Sequence, residues 1–202
     1  METIRGKASL DLDLIGLQER LTNYNRISLD LGTGDGCYVY SLAERNPNRF
    51  VIGIDSCREN LREHSRVKLP NMLFVIANAQ NLPRELNGLI SHVTINFPWG
   101  SLLESLFIGD PGLISGLESI SNSHASIGIR LNGGALNEIG WSLEAGANQI
   151  YDNLLRSGWH IDTPQAMNAN ALRSFPSTWA KRLAFGRDPR AMEISGHLTC
   201  KG

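Results

Sequence analysis

Between Ile27 and Gly36 the chain reads Ile-Ser-Leu-Asp-Leu-Gly-Thr-Gly-Asp-Gly, an apolar run that breaks into three glycines spaced two apart. Ile27, Leu29 and Leu31 alternate with Ser28 and Asp30, the period of a buried strand. Gly32, Gly34 and Gly36 then form a turn in which positive φ is permitted and backbone can approach a ligand closely. A strand, a glycine turn and a following helix make the nucleotide-binding corner of a doubly wound α/β sheet. The dinucleotide version needs Gly-x-Gly-x-x-Gly, and counted from Gly32 its third glycine falls on Cys37. Asp30 would also repel a pyrophosphate at the helix N-terminus. A cationic or zwitterionic ligand suits this corner better.

A second acid, Asp55, closes the next apolar run, Phe50-Val-Ile-Gly-Ile-Asp55. Together the two stretches resemble the S-adenosylmethionine (SAM) corner of class I methyltransferases. In that family the glycine turn, here with Asp30, Gly32, Thr33 and Gly34, holds the methionine part, and the acid after the second strand binds the ribose hydroxyls. The implied fold is a Rossmann-like α/β domain: a seven-stranded, mostly parallel sheet with an antiparallel last strand and helices on both faces.

A chain of 202 residues is long enough for one such domain, with residues 1–26 as an N-terminal extension. No apolar run approaches the roughly 18 residues that span a bilayer, and Met-Glu-Thr-Ile-Arg at the start lacks the apolar core of a signal peptide. A cytoplasmic protein without membrane association is expected. Cys37, Cys57 and Cys200 are far apart, with no spacing suited to zinc, so no metal is expected. Net charge is -1, which argues against a generic nucleic-acid binder. The charge is uneven, however. From Arg173 onward six basic residues face two acids, and Arg58, Arg62 and Arg66 recur every fourth position, with Lys68 just beyond. Glu59 and Glu63 can pair with those arginines, so a solvated helix face competes with a binding face.

Residues 1–11 suggest one or two short strands around Gly6, and Leu12, Ile15, Leu17 and Leu21 a helix. Helices are expected at Cys37–Arg45, ended by Asn46-Pro47, and at Arg58–Val67. Strand three is Met72–Ile76, and Asn78-Ala79-Gln80 follows at its carboxyl end, the ligand side of such a sheet. Strand four, His92–Phe97, runs into Asn96-Phe97-Pro98-Trp99-Gly100. Pro98 fixes the exit, and Trp99 is either presented above the methyl donor or simply covers the core. Helices at 101–107 and 113–121, strand five at 125–131 and one long helix at 135–157 follow. Strands six (159–163) and seven (192–198) close the sheet as an antiparallel hairpin.

Between those last strands lies a long connection, about 164–189, and long loops on compact scaffolds often carry function. It holds Phe175-Pro-Ser-Thr-Trp-Ala-Lys-Arg-Leu-Ala-Phe-Gly-Arg187. An aromatic interleaved with cations suits a flipped base and its phosphates. The plainer reading is an amphipathic helical turn, with Trp179, Leu183 and Phe185 packed down. Leu183 and Phe185 are expected to do so.

Taken with Phe97-Pro-Trp-Gly100, this segment and Ser195-Gly-His197 resemble the aminoglycoside-resistance 16S rRNA (adenine(1408)-N(1))-methyltransferases, the Kam and Npm type enzymes, along most of the chain. The resemblance implies that Trp99 and Trp179, supported by Phe97 and Pro98, clamp an adenine flipped from the decoding site of the 30S subunit. It implies that Asn78, Ala79, Gln80, Asn96, Ser101 and Ser177 complete the SAM pocket. Arg58, Arg62, Arg66, Lys68, Lys181, Arg182, Arg187 and Arg190 would hold rRNA, with the enzyme a monomer. Asp188-Pro189 interrupts the basic run, a departure from the more basic family. A tRNA (guanine-N7) methyltransferase and a catalytically silent SAM- or rRNA-binding module remain alternatives.

Overall fold

The computed structural model describes residues 1–186 and 189–198. Strands β1 (Glu2–Arg5) and β2 (Ala8–Asp11) form a hairpin, followed by α1 (Leu14–Leu21), β3 (Ile27–Leu31), α2 (Cys37–Arg45) and β4 (Phe50–Asp55). Then come α3 (Arg58–Leu61), β5 (Met72–Ile76), β6 (Ile90–Asn96), α4 (Gly100–Ile108), α5 (Pro111–Ile120) and β7 (Ser121–Asn132). The remainder is α6 (Gly133–Glu138), α7 (Leu143–Arg156), β8 (Trp159–Ile161), β9 (Gln165–Ala166), α8 (Ala169–Ser174), α9 (Thr178–Ala184) and β10 (Ala191–Leu198).

Among the described residues ten strands form one sheet, ordered β2-β1-β5-β4-β3-β6-β7-β10-β8, with β9 on β10. From β5 to β7 neighbours run parallel, while β10 is antiparallel to both β7 and β8. The expected seven strands are therefore present. The extra ones are the β1–β2 hairpin, which adds an antiparallel edge beside β5, and the short β9. All five residues of β3 are buried, as a central parallel strand covered on both faces requires. One core gathers Leu29, Leu31, Ile52, Ile54, Val93, Ile95, Ile127 and Ile129 under α1, α4, α5 and α7. On the other face a smaller cluster of Val39, Ala43, Val51, Leu61 and Phe74 sits under α2 and α3. Each such fully buried aliphatic side chain contributes roughly 1.5–3 kcal/mol.

Two expected helices are shorter than their patterns. The 58–67 segment stops at Leu61 and resumes as a 3₁₀ turn at His64–Arg66. His64 Nδ1 is bonded to the Asp35 carbonyl, and Ser65 Oγ accepts from the Gly6 amide, so tertiary bonds pull this stretch out of α geometry. Arg58, Arg62 and Arg66 consequently do not share one helix face. The 135–157 segment breaks at residues 139–142, where Gly140 takes φ +84° and Ser142 caps α7 by accepting from Ala145. The long connection is not an open loop either. Its α8 and α9 enclose a small core of Phe97, Leu172, Ala180 and Ala191.

Candidate active site

The glycine turn hangs from the end of β4, because the amides of Gly32 and Thr33 both donate to the Ile54 carbonyl at 2.8 and 3.0 Å. Gly32, Gly34 and Gly36 all have positive φ. A methyl group added to Gly32 would strike Leu102 at 2.5 Å, whereas beside Gly34 there is open space. That space is a cleft of about 390 Å³ at the carboxyl ends of β3–β6. It is lined by the fifteen residues that the sequence assigns to cofactor and target: Asp30, Gly32, Thr33, Gly34, Asp55, Asn78, Ala79, Gln80, Asn96, Phe97, Pro98, Trp99, Ser101, Ser177 and Trp179.

At its floor Asp30 is buried and accepts on Oδ1 from Thr94 Oγ1 and Asn96 Nδ2, both at 2.7 Å. Burial pushes this carboxyl up to about 6, even though these donors and the Arg130 cation pull it down. Asp55 accepts from the amides of Gly34 and Cys57 at 2.8 Å each, which ties the ends of β3 and β4 together. Gln80 is oriented by Ser105, to which it donates at 2.7 Å.

The exit from β6 is strained. Phe97 is a non-glycine residue at φ +53°, a conformation that costs on the order of 1–3 kcal/mol and clusters at functional sites. The twist sends its ring into the small core and lifts Trp99 to the mouth of the cleft. There Trp99 meets Trp179 from α9, ring centroids 5.5 Å apart and planes 15° from parallel. Both indoles remain about two-fifths exposed, so Trp99 does not serve as core cover. Ser177, just before α9, is buried.

Asp35 and Tyr38, also in the lining, were missed by reasoning from sequence, as were Ser56, Cys57, Asn60 and Leu102. Most of them adjoin a motif residue, and that adjacency was the available signal. Asp35 matters most, since its Oδ2 accepts from Thr178 Oγ1 at 2.7 Å and joins the glycine turn to α9.

The basic residues are more dispersed. Arg182 holds its guanidinium 5.3 Å from the Trp179 ring, and Lys181 is exposed beside it. Arg58 donates to the Lys7 carbonyl, and Arg62 pairs with Glu59 at 3.0 Å. Arg66, Lys68 and Arg190 are exposed, and Arg187 lies outside the described residues. Phe185, expected to pack down, is 81% exposed, because α9 ends at Ala184, and it is Ala180, Leu183 and Ala184 that turn toward the small core.

A family model described as NpmA, 16S rRNA (adenine(1408)-N(1))-methyltransferase, matches residues 2–198. The chain belongs to this family. It is 33% identical to the 16S rRNA (adenine(1408)-N(1))-methyltransferase of Escherichia coli, over 98% of this chain and 99% of that one. Among solved structures, an antibiotic-related methyltransferase superposes with a TM-score of 0.85 at 34% identity, covering 97% of this chain and all of that one. The antibiotic-resistance methyltransferase Kmr gives 0.82 at 27%, with full coverage of both chains. As a member of the adenine(1408)-N(1) family, the protein is a SAM-dependent methyltransferase.

The cleft fits that cofactor on its own geometry. The buried Asp30 carboxyl has neutral donors in hydrogen-bond contact, Gly34 leaves room beside the turn, and Asp55 lines the same cleft. Among the described residues no cluster of side chains could hold a metal ion, and no helix is long and apolar enough to cross a membrane.

Proposed function

We propose that this enzyme methylates N1 of adenine 1408 in the decoding site of 16S rRNA, on the assembled 30S subunit, and thereby confers aminoglycoside resistance. The observation that carries this reading is the pair of facing indoles, Trp99 and Trp179, at the mouth of the cleft that holds the cofactor residues. SAM supplies an electrophilic methyl group on a sulfonium. Asp30, Gly32, Thr33, Gly34 and Asn96 hold its methionine end, Asp55 the ribose, and Asn78, Ala79, Gln80 and Ser101 the adenine side, with Ser177 closing the pocket.

Adenine N1 carries an in-plane lone pair that is free at neutral pH once the base is unpaired, so no general base is needed. Orientation is the main task, and good alignment is worth up to about 7–11 kcal/mol. Methylation moves positive charge onto the base, where each indole face stabilises it by roughly 0.5–2 kcal/mol. A cleft rich in aromatics and without a free catalytic base at its mouth suits such a reaction.

Arg182, Lys181, Arg187 and Arg190 on the α9 side, with Arg58, Arg62, Arg66 and Lys68 after β4, are read as contacts to rRNA phosphates. Residues 1–202 are read as one domain, acting as a monomer in the cytoplasm. The deciding experiment is transfer from labelled SAM to purified 30S subunits and, separately, to tRNA, followed by reverse transcription across the decoding site. A new stop at adenine 1408 is expected, and label in tRNA alone would overturn the assignment.

A further inference from the structure

Arg130 belongs to none of the motifs and does not line the cleft, yet Asn96, Phe97, Phe175 and Glu193 all meet it. Its Nη1 donates to Asn96 Oδ1 at 2.9 Å, and its Nη2 pairs with Glu193 on β10. Its own carbonyl accepts from the Phe97 amide at 2.7 Å, within the strained exit that carries Trp99. Its guanidinium lies 4.7 Å over the Phe175 ring. Phe175 in turn stacks on Tyr38 at 5.1 Å and meets Phe97 edge-on at 5.7 Å, two residues before Ser177.

The contact with Asn96 fixes the sense of its amide. With the oxygen held by a cation, the nitrogen must face Asp30, to which it donates at 2.7 Å. The reversed amide would set NH₂ against guanidinium and oxygen against carboxylate, two repulsive contacts. Glu193 anchors the guanidinium from the opposite side, so Arg130 is held at both ends of its fork.

We propose that Arg130 is a positioning residue for methyl transfer, which sets the Asn96–Asp30 pair beneath the cofactor and, through Phe97 and Phe175, the two segments that carry Trp99 and Trp179. This rests on the reading of the cleft as the SAM pocket. The charged and titratable groups acting on Asp30 are Arg130 from β7 and the half-buried Tyr38 phenol from α2. Removing the Arg130 cation therefore makes Asp30 harder to ionise.

The test compares Arg130→Met and Arg130→Lys with the unsubstituted protein, each checked for folding by circular dichroism. Two quantities are read: the pH midpoint of SAM binding by calorimetry, and single-turnover transfer to 30S subunits at saturating SAM. Arg130→Met should move the midpoint upward and slow transfer about tenfold to a hundredfold, the scale of an ångström of misplacement. Arg130→Lys keeps the charge but not the planar fork, so its midpoint should return toward that of the parent while transfer stays slow. A folded Arg130→Met with parental midpoint and rate would overturn the proposal, as would a lysine variant that restores both. Failure of the unsubstituted protein to bind SAM would overturn the pocket reading itself, and the role of Arg130 with it.

Discussion

Trp99 and Trp179 lie face to face with centroids 5.5 Å apart, closer than a sandwiched base allows. A base is roughly 3.4 Å thick in a stack, so two rings enclosing one must stand roughly 7 Å apart. The two rings must therefore part by more than an ångström for a base to enter between them. Replacing either ring with alanine should cost about 1–3 kcal/mol, the worth of stacking one base. Transfer to 30S subunits should fall by about fivefold to 150-fold, with SAM affinity by calorimetry nearly unchanged. Equal loss of both would remove the clamp role.

Asp55 joins two loops as well as facing the cleft. Asp55→Ala removes charge-assisted bonds worth about 1.5–3 kcal/mol, so SAM affinity should fall by roughly 10- to 150-fold. Gly34→Ala is the complementary probe, since φ +57° strains any side chain and the methyl group would point into the open cleft. It should weaken SAM binding while costing about 1–2 kcal/mol of stability in urea melts. Unchanged affinity in both variants would refute the cofactor placement.

Asp30 titrates near 6 in the folded protein against 3.8 for the ordinary side chain. Its raised value means that the folded state holds the proton more tightly than the unfolded chain does. The resulting penalty is absent below about pH 4, grows as pH rises through 6, and approaches about 3 kcal/mol above that. Asp30→Asn, which keeps an acceptor for Thr94 and Asn96, should therefore be the more stable protein at pH 7 and match the parent at pH 4. It should also bind SAM poorly at every pH, whereas the parent loses SAM only as pH falls through 6. A parent melt that tracks the variant across this range would refute the assignment.

Arg182 is exposed and lies over the Trp179 ring. Arg182→Ala should weaken binding to 30S subunits and lower the slope of log affinity against log salt by about 1, as loss of one phosphate contact does. An unchanged slope would leave Arg182 as a support for the indole alone.

The glycine corner was readable because its features lie within a few positions of one another: Gly32 and Gly34 take positive φ, and Asp30 and Asp55 fall at or near the ends of β3 and β4. The mostly parallel sheet with an antiparallel last strand followed from the same pattern. What was not readable depends on contacts distant in sequence. The bond from Thr178 to Asp35 spans 143 positions, and nothing in the residues around Arg130 announces Asn96 or Phe175. Apolar periodicity overstated the helices at 58–67 and 135–157, because Ser65 and His64 find partners elsewhere and Gly140 leaves the helical region. Phe185 was misplaced for a related reason, since hydrophobicity says what a side chain prefers and not where a helix of seven residues must end.

The closed indole pair has a last consequence, for selectivity. An aromatic pair is worth about 0.5–1.5 kcal/mol beyond the area it buries, and every entering base must first dissolve it. A nucleotide still stacked in a duplex would surrender its own neighbours in the same event and meet both costs together. One that its surroundings already hold out of the helix meets only the first. If the two tryptophans clamp the target, their pairing sets an entry threshold that screens bases by how loosely their own RNA holds them, before any hydrogen bond inspects their edges.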